Sequence, residues 1–187
     1  MTARFLQAAN GHIIETAHSG NGNAAGMATT LVLCALRFDR AVVAHVGDSR
    51  CYLVRHGNAQ ALTRDHTVAE DQLRSGALRN RSAAYATMGH ILSRSLGSDL
   101  FVSPDVTEHL LLPGDVLVLC SDGLHGAVPL PELAKIISGS AQLPAAAEEL
   151  VAIANERDGS DNVSIQLIRV RSVERVGMYR GRPYKIR

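Results

Sequence analysis

The sequence predicts an α+β fold in which antiparallel sheets carry helices on their outer faces. Short, β-branched segments follow one another directly between residues 29 and 65, separated by polar or glycine-bearing turns. Helical patterns are grouped before and after these strands and do not alternate with them. A doubly wound parallel sheet requires that alternation, so the grouped strands favour layered antiparallel sheets.

The N-terminal half begins with a predicted helix. Residues 3–18 place apolar side chains near helical spacing, and residues 19–26, rich in Gly and Asn, predict a loop. The segments TTLVLCALRF, AVVAHVGDSR, CYLVRHG and AQALTRD predict a meander of strands, with a hairpin turn at residues 55–58. A helical pattern follows at residues 66–76. The polar segment 78–90 predicts an irregular excursion on the surface.

The C-terminal half predicts two strands, two helices and a last strand. These segments are, in order, residues 105–112, 115–121, 129–138, 144–156 and 163–170. A Pro-Gly-Asp turn joins the two strands, and each helix has a proline at or near its start, where the missing N–H is harmless. Residues 1–170 are therefore expected to form one domain, followed by a basic, solvated tail at residues 171–187.

Composition narrows the classes of partner and location. A net charge of +1 and dispersed Lys and Arg residues indicate neither nucleic acid nor an anionic membrane as a partner. No apolar run approaches the roughly 18 residues of a membrane span, and the N-terminus lacks a signal-peptide pattern, so a cytoplasmic location is expected. Cys34, Cys51 and Cys120 lie in separate apolar runs, which predicts small buried thiols in a reducing compartment.

Three aspartates stand where a strand meets a loop. Asp122 ends the apolar run of LVLCSDGLHG, where the following glycine permits a sharp turn. Asp161 precedes the last strand, and Asp65 lies between a strand and a helix. Carboxylates from separate loops are the ligands that Mg²⁺ and Mn²⁺ prefer. Each aspartate has an ordinary alternative, since Asp-Gly is a common turn pair and Asp65 could cap the following helix.

Six ordered segments carry a resemblance to a known family. GMATTLVLCAL, VVAHVGDSRCYL, LTRDHT, ILSRSLG, GDVLVLCSDGL and GSDNVSIQLI resemble, in that order, the successive motifs of bacterial PPM-type (type 2C) metal-dependent protein serine/threonine phosphatases. The resemblance runs from residue 3 to residue 170. It implies a β-sandwich of two antiparallel sheets flanked by helices, with a metal cluster at one end.

The resemblance also implies a chemistry. Two Mn²⁺ or Mg²⁺ ions would hold a water that attacks phosphoserine or phosphothreonine directly. By motif, Asp122 and Asp161 match metal ligands, and Asp65 matches an aspartate that helps to hold a third ion. Gly126 stands where many relatives carry another acid. No catalytic residue beyond the metal ligands and no other cofactor is implied, and the implied partner is a phosphoprotein substrate of a serine/threonine kinase.

Other family motifs are expected to be structural or peripheral. Gly47-Asp48-Ser49-Arg50 matches a motif that predicts a polar turn between core strands. Residues 78–90 match the mobile flap beside the active site of bacterial members. His66 and His125 lie next to candidate ligands, but a site for hard metal ions has no need of imidazole.

The family pattern includes an N-terminal segment that these 187 residues do not show. It begins with a strand bearing an acid and an Arg, followed by an Asp-Gly-rich motif whose aspartate bridges both ions. We therefore expect an N-terminally incomplete domain, weak metal occupancy and low activity of this chain alone. The alternative is a non-catalytic phosphatase-like module that binds phosphorylated or regulatory partners. An exposed sandwich edge leaves the oligomeric state open.

Overall fold

The computed structural model describes residues 2–19, 26–174, 176–180 and 182–186, so most of the predicted loop at 19–26 lies outside the described residues. The elements are α1 (Thr2–Ser19), β1 (Leu31–Arg37), β2 (Arg40–Val46), β3 (Arg50–Arg55), β4 (Asn58–Ala61), α2 (Val68–Arg74), α3 (Arg81–Met88), β5 (Asp105–Leu110), β6 (Val116–Cys120), α4 (Asp122–His125), α5 (Leu130–Gly139), α6 (Leu143–Arg157), β7 (Ile165–Arg169), β8 (Val176–Tyr179) and β9 (Arg182–Lys185). Among the described helices, none has both the length and the apolar character needed to cross a bilayer.

The chain divides into two compact units. The first comprises residues 1–32, 44–49 and 64–105, and the second comprises residues 33–43, 50–63 and 106–187. Helices α1, α2 and α3 belong to the first unit. The sheets, together with α4, α5 and α6, belong mainly to the second. The grouping of strands between helical segments, predicted from the sequence, is therefore confirmed.

In the first unit, a buried amide side chain attaches α1 to a loop. Asn10 is fully buried. Its Nδ2 donates to the carbonyl oxygen of Asp99 at 2.8 Å, and its Oδ1 accepts from the N–H of Gly97, also at 2.8 Å. One side chain thus satisfies a backbone acceptor and a backbone donor of the same loop, which fixes the helix against it.

Helix α3 contradicts the prediction of an irregular excursion over residues 78–90. Arg81–Met88 is helical, and its sequence RSAAYATM contains three alanines, the residue with the highest helix propensity. Ala84 is buried, and the hydroxyl of Tyr85 donates to Oε2 of Glu70 in α2 at 2.7 Å. The polar residues at the start of the segment suggested a loop, but packing against α2 stabilises a helix there.

Two antiparallel sheets form most of the second unit, as the sequence predicts. Their strand orders are β1-β2-β5 and β4-β3-β6-β7. The hairpin predicted at residues 55–58 joins β3 to β4, with Arg55 paired to Asn58. Both central residues of its turn are left-handed, His56 at φ 50° and Gly57 at φ 79°, which is the conformation of a type I′ turn.

Strands β3 and β6 are the core of the four-stranded sheet. All five residues of β6 are buried, so the strand is covered on both faces. On one face, side chains such as Tyr52 and Val118 pack with Leu133 of α5 and Leu150 of α6 in a single apolar cluster. The predicted helices α5 and α6 therefore cover this face of the sheet.

The three cysteines lie on β1, β3 and β6. Cys120 is on the face of β6 that α5 and α6 cover, and Cys51 is on the opposite face of the sheet. Cys51 and Cys120 are buried, as the sequence predicts, Cys34 is half-buried, and none of the three is joined in a disulfide. Burial, together with the charges of the Cys34 and Cys120 thiolates, raises the pKa of Cys51 to about 12. Because Cys34 belongs to β1 and Cys51 to β3, this coupling brings the two sheets close together, which agrees with a sandwich.

A hairpin forms where the sequence predicts a solvated tail. Strands β8 and β9 pair with Tyr179 opposite Arg182, and the turn residue Arg180 is left-handed at φ 47°. The ring of Tyr184 covers Gly177 so closely that a Cβ there would lie 2.4 Å from Cζ. An aromatic ring packed over a glycine stabilises this hairpin. The predicted domain boundary at residue 170 stays a prediction.

A buried carboxylate joins the start of β6 to β3. The side chain of Asp115 is 2% exposed, and its two oxygens accept from Nε and Nη2 of Arg55, each at 2.7 Å. Its Oδ2 also accepts from the N–H of Leu112 at 2.7 Å. Burial alone would raise the pKa of the Asp115 carboxyl, but the hydrogen bonds from Arg55 and Leu112 outweigh it and lower the pKa. The carboxylate therefore contributes stability above the pKa of an unfolded aspartate and loses it as pH falls.

We expect Arg55→Met to lower the free energy of unfolding at neutral pH by about 3 kcal/mol, because Asp115 would stay buried without its charged partner. Urea denaturation measures this. The loss should shrink as the pH falls towards about 4, where protonation removes the unpaired charge. Arg157→Met is the control: Arg157 pairs with Glu132 at 2.7 Å on the surface, so its removal should matter far less. Equal losses in the two variants would contradict the role of burial.

Candidate metal centre

Asp122 stands at the point where the buried strand β6 reaches solvent. The strand ends at Cys120, and Asp122 is the first residue of the single turn α4. Its carboxylate is exposed, and Oδ1 accepts from the N–H of Gly123 at 3.0 Å. The strand therefore delivers this carboxylate to the edge of the sheet.

Asp161 reaches the same edge from the neighbouring strand. It lies in the loop before β7, exposed, with Oδ1 accepting from the N–H of Asn162 at 2.7 Å. Strands β6 and β7 are antiparallel, with Cys120 opposite Ile165. Because the end of one strand and the start of the other lie side by side, the segments that carry Asp122 and Asp161 emerge at the same end of the sheet.

The two loops that carry these aspartates are in direct contact. Ser121 Oγ donates to the carbonyl oxygen of Asn162 at 3.2 Å and accepts from the N–H of Ser164 at 2.9 Å. A Cβ on Gly123 would lie 2.6 Å from the oxygen of Asn162. Gly123 is therefore required where α4 packs closely against the loop before β7, a contact that the sequence did not predict. Ser121 is the site-building residue that sequence reasoning overlooked.

Each of the two carboxylates keeps an oxygen for another partner. Asp122 and Asp161 use Oδ1 for the adjacent N–H, while Oδ2 has no hydrogen-bond partner among the residues that the structure describes. Two exposed carboxylates held on touching loops offer charged oxygen ligands, the type suited to a hard divalent cation. His125 is half-buried two residues beyond Gly123 and has interactions of its own.

Asp65 belongs to the first unit and is 6% exposed. The residue that caps α2 is Thr67, whose Oγ1 accepts from the N–H of Glu70 at 3.3 Å. The alternative that Asp65 caps this helix is therefore wrong. The backbone beside Asp65 is held in place, because His45 Nε2 donates to the carbonyl oxygen of Arg64 at 2.7 Å.

His45, His66 and Asp105 form a cluster in the first unit that the sequence analysis did not identify. Their candidate ligand atoms all lie within 4.8 Å of one another. The two imidazole rings are stacked, with centroids 4.4 Å apart and planes inclined by 21°. Asp105 Oδ2 lies 3.3 Å from Nε2 of His66, but the contact does not have hydrogen-bond geometry. Asp105 also accepts from Arg94 at 3.0 Å.

The hydrogen bonding of His66 opposes a metal ion in this cluster. Its Nδ1 accepts from the N–H of Gly47 at 3.2 Å, so the ring proton resides on Nε2. A metal on Nε2 would move that proton to Nδ1, where it would face the N–H of Gly47. The lone pairs of two stacked rings also lie in nearly parallel planes and do not converge on one ion. We therefore interpret the cluster as structural, with the rings of His45 and His66 packed against each other.

Comparisons with known proteins agree with the motif order. The family description Protein phosphatase 2C matches residues 5–74. The serine/threonine phosphatase stp of Listeria welshimeri is 36% identical over 157 residues, which cover 84% of this chain and 60% of the relative. The serine/threonine phosphatase of S. agalactiae has a similar structure, with a TM-score of 0.84 and 32% identity over 90% of this chain and 69% of the other. The chain belongs to the PPM (type 2C) family of serine/threonine phosphatases.

A phosphatase domain solved with manganese is also similar in structure. The catalytic domain of the serine threonine protein phosphatase PstP, solved in complex with 2 manganese ions, gives a TM-score of 0.75 at 28% identity and covers 89% of this chain and 68% of the other. This PPM chain spans about three fifths of the length of the curated relatives, 58% in one case and 60% in another.

The PPM motif Gly47-Asp48-Ser49-Arg50 is a structural turn, as predicted. Gly47 has φ 104°, and a Cβ on it would lie 2.3 Å from Cγ2 of Thr30. Its carbonyl oxygen accepts from the N–H of His66 at 2.9 Å, and Ser49 Oγ lies 2.8 Å from Thr30 Oγ1. Gly47 and His66 thus bind each other twice, which joins the turn to the segment that carries Asp65.

We expect His66 to remain neutral, with its proton on Nε2, below the pH at which an ordinary histidine is half-protonated. Burial lowers the pKa of His66 most, and the charges of His45 and Arg94 lower it further. Asp105 raises this pKa, but by less than the other effects lower it. A ¹⁵N-resolved NMR titration of the imidazoles measures this. Since the unfolded state would bind the proton more readily, stability should fall as pH drops below about 6.5. Protonation of His66 above that pH would contradict the assignment.

Proposed function

We propose that this protein is a metal-dependent phosphatase that hydrolyses phosphoserine and phosphothreonine in proteins. The observation that carries the proposal is the emergence of Asp122 and Asp161 at one edge of the paired strands β6 and β7, within a chain of the PPM family. Because the chain spans only about three fifths of its curated relatives, the activity of the whole protein is inferred from family and site together.

The proposed cofactor is Mn²⁺ or Mg²⁺, held by Asp122 and Asp161. The donor set fits, since both carboxylates are exposed and each has an oxygen outside its local hydrogen bond. The PstP domain, a relative in structure, was solved with 2 manganese ions. When bound, such ions activate a water and offset the charge that develops on the transferred phosphoryl group.

The role of the protein side chains at this edge is to position charge. Asp122 follows a strand that is buried throughout, and Ser121 connects its loop to Asn162 and Ser164. A carboxylate on such a support loses little conformational freedom when it binds a cation. Without a cation, the two negative charges would repel a phosphate group, so binding of substrate at this edge depends on the metal.

Asp65 is proposed as a ligand of a third, more weakly held ion. Its segment is fixed by His45 on Arg64 and by the double hydrogen bond between His66 and Gly47. The proposed substrates are phosphoproteins, consistent with a serine/threonine kinase as the opposing enzyme. The cytoplasm is the proposed location, because cysteines outside disulfides are typical of a reducing compartment.

We expect Asp122→Asn and Asp161→Asn each to weaken Mn²⁺ binding at least about 10-fold, because each removes a charged oxygen ligand. Titration followed by electron paramagnetic resonance of free Mn²⁺ measures this. Asp158→Asn is the matched control. Asp158 is an exposed aspartate just before the same loop, and Ser160 Oγ donates to it at 2.6 Å. An equal loss in all three variants would mean that general negative charge, and not a defined site, attracts the ion.

Release of phosphate from a phosphothreonine peptide in the presence of Mn²⁺ tests the activity. Turnover of this chain alone should be low and should require the metal. It should fall further, by more than about 100-fold, in Asp122→Asn, since the transition state depends on the bound cation. The control variant Asp158→Asn should retain it. A chain that binds Mn²⁺ and the phosphopeptide but releases no phosphate would instead support the non-catalytic module. Turnover that survives Asp122→Asn and Asp161→Asn together would refute the proposed site.

A further inference from the structure

A cavity of about 590 Å³ lies at the opposite end of the β3-β6-β7 sheet from Asp122 and Asp161. The register of the strands shows the separation. Val116 pairs with Val54 on one side and with Arg169 on the other, and all three line the cavity. Cys120, at the far end of β6, precedes the loop of Asp122. The cavity is therefore not part of the candidate metal centre.

A second, adjoining cavity of about 360 Å³ shares Ala141 and Arg169 with the first. The ionisable side chains around the two cavities are Arg169, Arg171 and His56. No aspartate or glutamate is among the described residues that line either of them. Because the charge at the walls is positive, the local potential favours an anion.

Arg169 is held in place before any ligand arrives. It is half-buried, and its Nη1 and Nη2 donate to the carbonyl oxygens of Ala141 at 3.2 Å and Ser140 at 3.1 Å. A guanidinium has five N–H donors, so three of them have no hydrogen-bond partner among the residues that the structure describes. A guanidinium with a fixed plane and spare donors matches the oxygens of a carboxylate or a phosphate.

The rest of the wall combines apolar and polar side chains. Val54, Val116 and Ile137 line the larger cavity, together with Ser138 and Ser140. Its volume lies within the range of about 300–1,000 Å³ that small-molecule sites occupy, and such sites combine an apolar lining with a few placed polar groups. We propose that this cavity binds a small organic anion, in which a carboxylate or phosphate group contacts Arg169 and an apolar group contacts the valines and the isoleucine.

Gly139 offers a way to block the cavity while preserving the fold. It lines the cavity at the last residue of α5, and a Cβ placed on it meets no atom within 4 Å. Gly139→Phe would therefore place a ring at the cavity wall, and its Cβ would meet no neighbouring atom. Gly11→Phe is the matched control, because Gly11 lies in helix α1, its Cβ would also meet no atom within 4 Å, and it does not line the cavity.

The probe is phenylphosphonate, which the proposed phosphatase activity cannot hydrolyse, with EDTA present to remove divalent cations. Saturation-transfer NMR and titration calorimetry measure its binding to the full chain. Gly139→Phe should weaken binding at least about 10-fold, and Arg169→Gln should do the same by removing a charged hydrogen-bond donor. Gly11→Phe and Asp122→Asn should bind the probe as the wild type does. The second of these keeps the result independent of the metal centre.

Two analogues complete the experiment. Benzoate binding distinguishes a site that accepts carboxylates from one that requires a phosphorus oxyanion. Benzamide has a similar shape but no charge, and it should bind at least about 10-fold more weakly than either anion. Equal binding of benzamide, unchanged binding in Gly139→Phe, or no binding of either anion up to about 10 mM would overturn the proposal.

Discussion

The burial of β6 on both faces is the constraint on which the second unit depends. Its five residues are covered by the α5–α6 layer on one side and lie within the sandwich on the other, so none of them can present a polar group to solvent. Chemistry is possible only at the two ends of the strand. Asp115, just before the strand, has a buried and paired carboxylate, whereas Asp122, just after it, has an exposed one. The same strand thus separates a carboxylate that stabilises the fold from one that is free to act.

Much of the architecture could be predicted from local signals. Alternation, short apolar runs and turn residues located β1 to β7, because each strand is bounded by its own polar or glycine-bearing segment. The same logic found Asp122 and Asp161, since both stand where an apolar run meets a loop. Their emergence at one end of the sheet did not follow from local pattern. It depends on the antiparallel pairing of β6 with β7, which the register shows.

The features that escaped sequence reasoning depend on contacts between distant residues. His45, His66 and Asp105 are separated by 21 and 39 positions, and no short pattern connects them. Helix α3 was hidden because its polar composition suggested a loop, while Tyr85 and Ala84 pack on α2. Gly123 was noticed for the turn that it permits, but its close contact with Asn162 was not predicted. In each case the deciding partner is remote along the chain.

The high pKa of Cys51 makes the reactivity of its thiol a measure of local opening in the second unit. Because burial raises the pKa of Cys51 to about 12, the closed structure forms the reactive thiolate at neutral pH far less readily than an exposed cysteine does. Alkylation of Cys51 therefore depends on transient exposure of its thiol, and the rate of labelling reports how often the structure opens there. The rate at which a small electrophile modifies Cys51 therefore gives the free energy of local opening in the wild-type protein.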